Sequence, residues 1–144
     1  MRSIVAPLTA ALLLTACNVA REPSVEGAWI RLPAVTGRPG AAYFTLRGGK
    51  ADSALARVFT PSAQRAELHE SMAAGTMTTM RPLAAVPLPA GGTVAFAPGG
   101  NHVMLFDIDP ALKAGGTAPL TLELSDGKRL TASAKVVAAG DPAP

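Results

Sequence analysis

The 144-residue chain is 49% apolar and 16% charged, with a formal net charge of +3. That length suits one domain with a buried core and does not comfortably hold two. Lys and Arg are dispersed along the chain, with Lys128-Arg129 the one adjacent pair, and there is no longer basic run and no aromatic–basic stripe, which argues against nucleic acid as a partner.

The N-terminus reads as an address. After Arg2, an apolar stretch from Ile4 to Leu14 is too short to span a bilayer as a stable helix. Leu14-Thr15-Ala16-Cys17 then resembles the lipobox of bacterial lipoproteins, which are cut just before the Cys and acylated on it. The resemblance implies a signal peptide over residues 1–16, lipidation at Cys17 and a tether over residues 17–24. It also implies a lipoprotein anchored at the periplasmic face of the cell envelope, because two or more acyl chains hold a soluble domain firmly to a membrane. An Asp after the Cys would point to inner-membrane retention; Asn18 stands there instead. The alternative is an incidental signal-peptide Cys in an ordinary secreted protein. Cys17 is the only cysteine. The folded domain therefore has no internal disulfide and no thiolate for a metal site or a blue-copper centre.

From Val25 to Val137 the texture is all-β. Alternation predicts strands at Val25–Leu32, Ala41–Arg47, Ala54–Thr60, Arg65–Ser71, Met77–Leu83, Thr93–Ala97, His102–Ile108, Pro119–Leu124 and Leu130–Val137. Gly- and Pro-rich turns separate them, including Pro98-Gly99-Gly100-Asn101 and the hairpin signal Asp126-Gly127. Ala51–Ala56 offers one helical turn at most. Short strands at regular spacing read as an antiparallel Greek-key sandwich or a small barrel. Trp29 and Tyr43 read as core bulk in a chain poor in aromatics, and residues 138–144 as a disordered tail.

Both histidines, and every methionine except Met1, fall between His69 and Met104. Within that window the spacing is His69-x₁₀-Met80-x₂₁-His102-x-Met104. Singly, a strand Met is usually packing and a lone His is usually a surface or hydrogen-bonded residue. Together they make a pattern. His102 and Met104 are two apart, so a strand turns both to one face. His69 lies near the end of one strand and Met80 near the start of the next, with Ala73-Ala74-Gly75 as connection. All four can converge at one end of the fold. Two imidazoles and two thioethers are neutral, soft-to-borderline donors that suit Cu(I) over Cu(II) or Zn(II). Protons compete for imidazole near its unperturbed pKa of about 6.5, so acid should weaken the site. Met77 is an auxiliary donor candidate, although an ideal strand would turn it away from Met80. Met72 reads as apolar cover, with a spare donor as the alternative. Glu70 and Arg81 read as surface charges, with the options of orienting His69 and of docking a partner.

The spacing resembles that of the periplasmic copper chaperone family written PCu(A)C. The likeness extends to Glu67-Leu68-His69-Glu70, Met77-Thr78-Thr79-Met80-Arg81-Pro82 and Pro98-Gly99-Gly100-Asn101-His102-Val103-Met104-Leu105. Upstream, Ala28-Trp29-Ile30-Arg31 and Ala41-Ala42-Tyr43-Phe44 agree. The resemblance implies a cupredoxin-like sandwich that takes Cu(I) on His69, Met80, His102 and Met104. It also implies delivery to a copper-accepting protein, such as a Sco-type protein or a cytochrome oxidase subunit, for copper-site assembly. Two departures stand out. Ser71 stands where the family often has Met, and residues 138–144 lack the His and Met of the Cu(II)-binding extension seen in some members. The competing reading is a noncatalytic envelope lipoprotein with a structural or copper-storage role. No nucleophile–base pattern, nucleotide loop or carboxylate pair points to an enzyme.

Overall fold

The computed structural model describes residues 21–144. The expected signal peptide and the lipidated Cys17 lie outside the described residues. Ten strands follow in order: β1 (Ser24–Arg31), β2 (Gly40–Arg47), β3 (Ser53–Phe59), β4 (Ala63–Ala74), β5 (Met77–Pro82), β6 (Val86–Leu88), β7 (Thr93–Phe96), β8 (Asn101–Ile108), β9 (Thr117–Leu124) and β10 (Arg129–Val137). They hydrogen-bond in the order β5-β4-β8-β7-β2-β1-β10-β9-β3-β6, with β8 also pairing β2. Among the described residues there is no helix.

Period-two alternation explains most of this. In β9, Ala118, Leu120, Leu122 and Leu124 are all buried, while the residues between them face outward. They meet Ile30, Leu46, Leu55, Val103 and Leu105 in one core. The nine expected strands are present, with ends moved by a few residues. The additional strand is β6, Val86-Pro87-Leu88, too short for alternation to register and interrupted by Pro. It sits at the end of the strand order, where the missing N–H of Pro87 is tolerated. The stretch read as one helical turn at most instead opens β3 at Ser53. Pairing is antiparallel throughout, apart from β1 with β10 and a single parallel contact between β7 and β8. The result is the cupredoxin-like all-β fold that the resemblance implies.

One irregularity positions the site. β7 and β8 line up one after the other along β2. Between the pairs Phe44/Phe96 and Ala42/Val103, β2 advances by two residues while its partner advances by seven. The surplus is looped out as Ala97–Asn101. Gly100 N–H donates to the Ala97 carbonyl at 3.0 Å, and Gly99 has φ +84°. Pro98 then Gly99 at the two central positions is the type II turn chemistry. The turn delivers His102 as the second residue of β8.

Gly48 is a tight point of the scaffold. Its N–H donates to the Gly92 carbonyl at 2.8 Å, and a Cβ there would sit 2.2 Å from the Pro89 carbonyl oxygen. That neighbour is backbone and cannot rotate aside. Gly48→Ala is expected to destabilise the fold by about 3 kcal/mol, at the upper end for overpacking. The check is urea unfolding of the two chains; an unchanged midpoint refutes it.

Candidate metal centre

β4, β8 and β5 carry the candidate donors, and their register assigns each side chain to a face. His69 lies directly opposite His102, Glu67 opposite Met104, and Ser71 opposite Met80. Residues 67, 69 and 71 of β4 share one face, as do 102 and 104 of β8. His69, Met80, His102 and Met104 thus stand on a single face of this three-stranded layer. The two imidazoles occupy the middle rung. Met104 lies one rung to one side and Met80 one rung to the other. Rungs of one face are about 7 Å apart, and flexible thioether side chains span that distance.

This is the face turned away from the main core, which Leu68, Val103 and Leu105 enter from the other side. Trp29 lies opposite Tyr43, and Tyr43 is one residue from Ala42, the partner of Val103. The two aromatics therefore continue the row of His102 and His69. Both are buried, and they pack on each other with ring centres 4.4 Å apart, outside the cluster formed by Ile30, Ala42 and Phe44. The expectation of buried bulk holds, but on the donor face rather than in the main core.

The histidine rings carry the strongest chemical information. Their centres are 5.9 Å apart and their planes are inclined at 44°. Nitrogen ligands sit about 2.0–2.1 Å from an ion of this size class, so rings at that separation can share one. His102 Nδ1 is 3.0 Å from the Gly100 carbonyl oxygen. A carbonyl only accepts, so Nδ1 carries the proton and Nε2 keeps a free lone pair. His69 Nε2 is 3.0 Å from a Glu67 carboxylate oxygen, which assigns its proton to Nε2 and leaves Nδ1 free. The two free nitrogens, His69 Nδ1 and His102 Nε2, are buried and have no hydrogen-bond partner. A buried polar atom without a partner costs about 1–3 kcal/mol. Two of them, 33 residues apart in sequence, stand opposite each other in the sheet and make this face the candidate ligand site.

Glu67 is the residue that sequence reasoning missed. Sequence adjacency points to Glu70, the immediate neighbour of His69, as the orienting carboxylate. In a strand the immediate neighbour points to the opposite face. Glu70 instead pairs with Arg81 across the β4–β5 hairpin at 2.9 Å. Glu67, two residues away, shares the face of His69. The available signal was the i−2 spacing. The hydrogen bond from His69 holds the Glu67 carboxyl below its usual range, and the nearby charge of Arg65 lowers it further, against desolvation. Arg65 also pairs with Glu67 and lies over the Phe106 ring.

Burial is graded across the donors. His102 is 3% exposed, His69 and Met104 are partly buried, and Met80 is 56% exposed. His69 is not near a strand end, because β4 continues to Ala74 in a hairpin with β5. The hairpin turns on Gly75-Thr76 rather than on Ala73-Ala74-Gly75. Gly75 has φ +63°, the pattern of a two-residue type II′ turn with Gly first. His69 nonetheless sits where the three-stranded layer stops, since Glu70 opposite Asn101 is the last pair between β4 and β8. Met77 lies opposite Ala74 and Met72 opposite Thr79, which turns both away from the four donors. Among the described residues, no three His, Cys, Asp or Glu side chains are grouped to hold a metal.

The fold is shared with known copper-binding domains. The copper-bound PCuAC domain of PmoF2 superposes with a TM-score of 0.67 at 26% identity, covering 83% of this chain and 95% of that one. The Cu(I) form of DR1885 from Deinococcus radiodurans gives 0.63 at 29% identity, covering 88% and 85%. The "Putative lipoprotein Lxx21020" of Leifsonia xyli subsp. xyli is 31% identical over 104 residues. That match spans 72% of this chain and 62% of the relative's length. A profile of the family described as "Putative lipoprotein LpqE-like" matches residues 24–136. The chain belongs to this family, which is the PCuAC family.

Proposed function

We propose that the protein is a membrane-anchored Cu(I) carrier that holds one ion on His69, Met80, His102 and Met104. The observation that carries the reading is the pair of buried, partnerless imidazole nitrogens on rings 5.9 Å apart, on the face that the register also gives to Met80 and Met104. The donors are uncharged, so they suit a soft monocation. Each imidazole has its second nitrogen tied to a fixed acceptor, which sets the tautomer and aims the free lone pair. Copper is the cargo, and no step requires catalysis.

The burial gradient supports release as well as binding. The two imidazoles form an inner seat, and Met80 forms the outer wall. A partner's incoming ligand displaces the Met80 thioether first, and Met104 and the imidazoles follow. Acid opposes loading, because each proton taken by a free imidazole nitrogen removes a donor. The family resemblance supports a recipient in copper-site assembly of cytochrome oxidase, either a Sco-type protein or an oxidase subunit. Acylation at Cys17 places the sandwich at the periplasmic face of the envelope, within reach of membrane-bound acceptors.

The test is anaerobic titration of the chain with Cu(I) against a chromophoric chelator. One tight Cu(I) per chain is expected, undiminished by excess Zn(II), because thioethers are poor zinc ligands. Several tight equivalents would instead indicate storage. Failure to compete with the chelator would leave a structural lipoprotein.

A further inference from the structure

We propose that Met72 and Met77 form a second, weaker Cu(I) site on the far face of the β4–β5 hairpin. Met72 is opposite Thr79 and Ala74 is opposite Met77, so the two methionines are diagonal neighbours on one face. Met80, opposite Ser71, occupies the other face of the same ribbon. Diagonal partners of this kind have backbones about 7–8 Å apart. Two long, unbranched side chains reaching toward each other close that gap with both sulfurs on one ion.

The setting makes packing an inadequate explanation for these side chains. Beyond Glu70, β4 has no further pair in β8, so the end of the hairpin projects from the sheet as two strands alone. All six residues of β5 are exposed. Met72 is 45% and Met77 68% exposed, and with Met80 they make up three of the five large apolar residues exposed among the described residues. The other two, Val35 and Phe59, lie elsewhere. Apolar side chains projecting from an uncovered ribbon gain little burial energy. As soft donors they gain a ligand. Thioethers without imidazole or carboxylate select Cu(I) or Ag(I) and ignore Zn(II). The Glu70–Arg81 pair occupies the base of the same face and leaves no free carboxylate beside the sulfurs.

The site differs from the four-donor centre in face, exposure and donor type. It stands back to back with Met80, the outermost donor of that centre. Its place at the tip makes it a landing point, where an ion meets the protein or leaves it. The inference holds whether or not the four-donor centre binds copper.

Methionine ε-methyl NMR of the full chain, titrated with Cu(I) without oxygen, tests it. The first equivalent is expected to move Met80 and Met104, and further additions to move Met72 and Met77. The double variant Met72→Leu/Met77→Leu keeps apolar bulk and is expected to retain the first equivalent while losing the second. In a His102→Ala/Met104→Ala chain, the Met72 and Met77 response is expected to persist. Shifts at Met72 and Met77 with none at Met80 and Met104 would keep this site and remove the four-donor one. Stationary Met72 and Met77 signals at several equivalents, or an undiminished second equivalent in the double leucine variant, would overturn the inference.

Discussion

Replacing His102 with alanine is expected to remove tight Cu(I) binding, with an affinity loss of more than about a hundredfold. The bound rests on comparison. Changing a residue that merely supports a ligand lowers metal affinity by about 10–100-fold, and His102 would be a ligand. It is also the most buried of the four donors, with Nε2 free and Nδ1 tied to Gly100. No other nitrogen donor stands near to replace it, since the chain has only two histidines. The fold should survive. The Gly100 carbonyl still accepts the Ser71 N–H at 3.1 Å, so β4 stays attached to the turn. Truncation at a buried position creates a cavity, and a loss of about 2 kcal/mol is expected, at the low end for large-to-small changes. The check combines chelator competition with thermal unfolding of the copper-free chain. Parent-like affinity in a folded variant would remove His102 from the site.

Glu67→Ala is expected to lower Cu(I) affinity by about 10–100-fold without touching a donor. Glu67 accepts the His69 Nε2 proton and so keeps Nδ1 as the free nitrogen. Without it, His69 can rotate or change tautomer, and its donation to the ion weakens. Glu67→Gln retains an acceptor oxygen and should fall between parent and Ala. A structural role alone would shift unfolding and leave the affinity of the folded chain unchanged, so both are measured. The pH dependence has a definite sign. The Glu67 carboxyl is depressed below its reference value of 4.5 by the His69 hydrogen bond and by Arg65. A depressed carboxyl contributes its stability fully above the unfolded value and loses it as the pH falls through the folded one. The stability difference between parent and Glu67→Ala should therefore persist at neutral pH and narrow only below about 4.5.

The candidate centre was legible in the sequence as a list of residue types, because soft donors are rare here and crowd into one window. Strand periodicity placed His102 and Met104 together, since two residues in one strand share a face whatever the tertiary fold. It also separated Met77 from Met80. Periodicity relates residues within a strand and says nothing about which strands are neighbours. The placement of His69 opposite His102 follows from β4 pairing with β8, and that pairing depends on a core the local pattern does not describe. Glu67 escaped notice for the same reason. Its role needs the face of His69 to be known, and adjacency in sequence drew attention to Glu70.

The sequence by itself determined the all-β class, the strand set apart from β6, the thiol-free donor chemistry and the family likeness. These follow from local alternation, turn residues and composition. Only the tertiary structure decided the histidine tautomers and the burial gradient from His102 to Met80. It alone turned Trp29 and Tyr43 onto the donor face and left the β4–β5 hairpin projecting. Each of these depends on cross-strand register and on what lies above a given face, and those are set by long-range pairing of strands far apart in the chain.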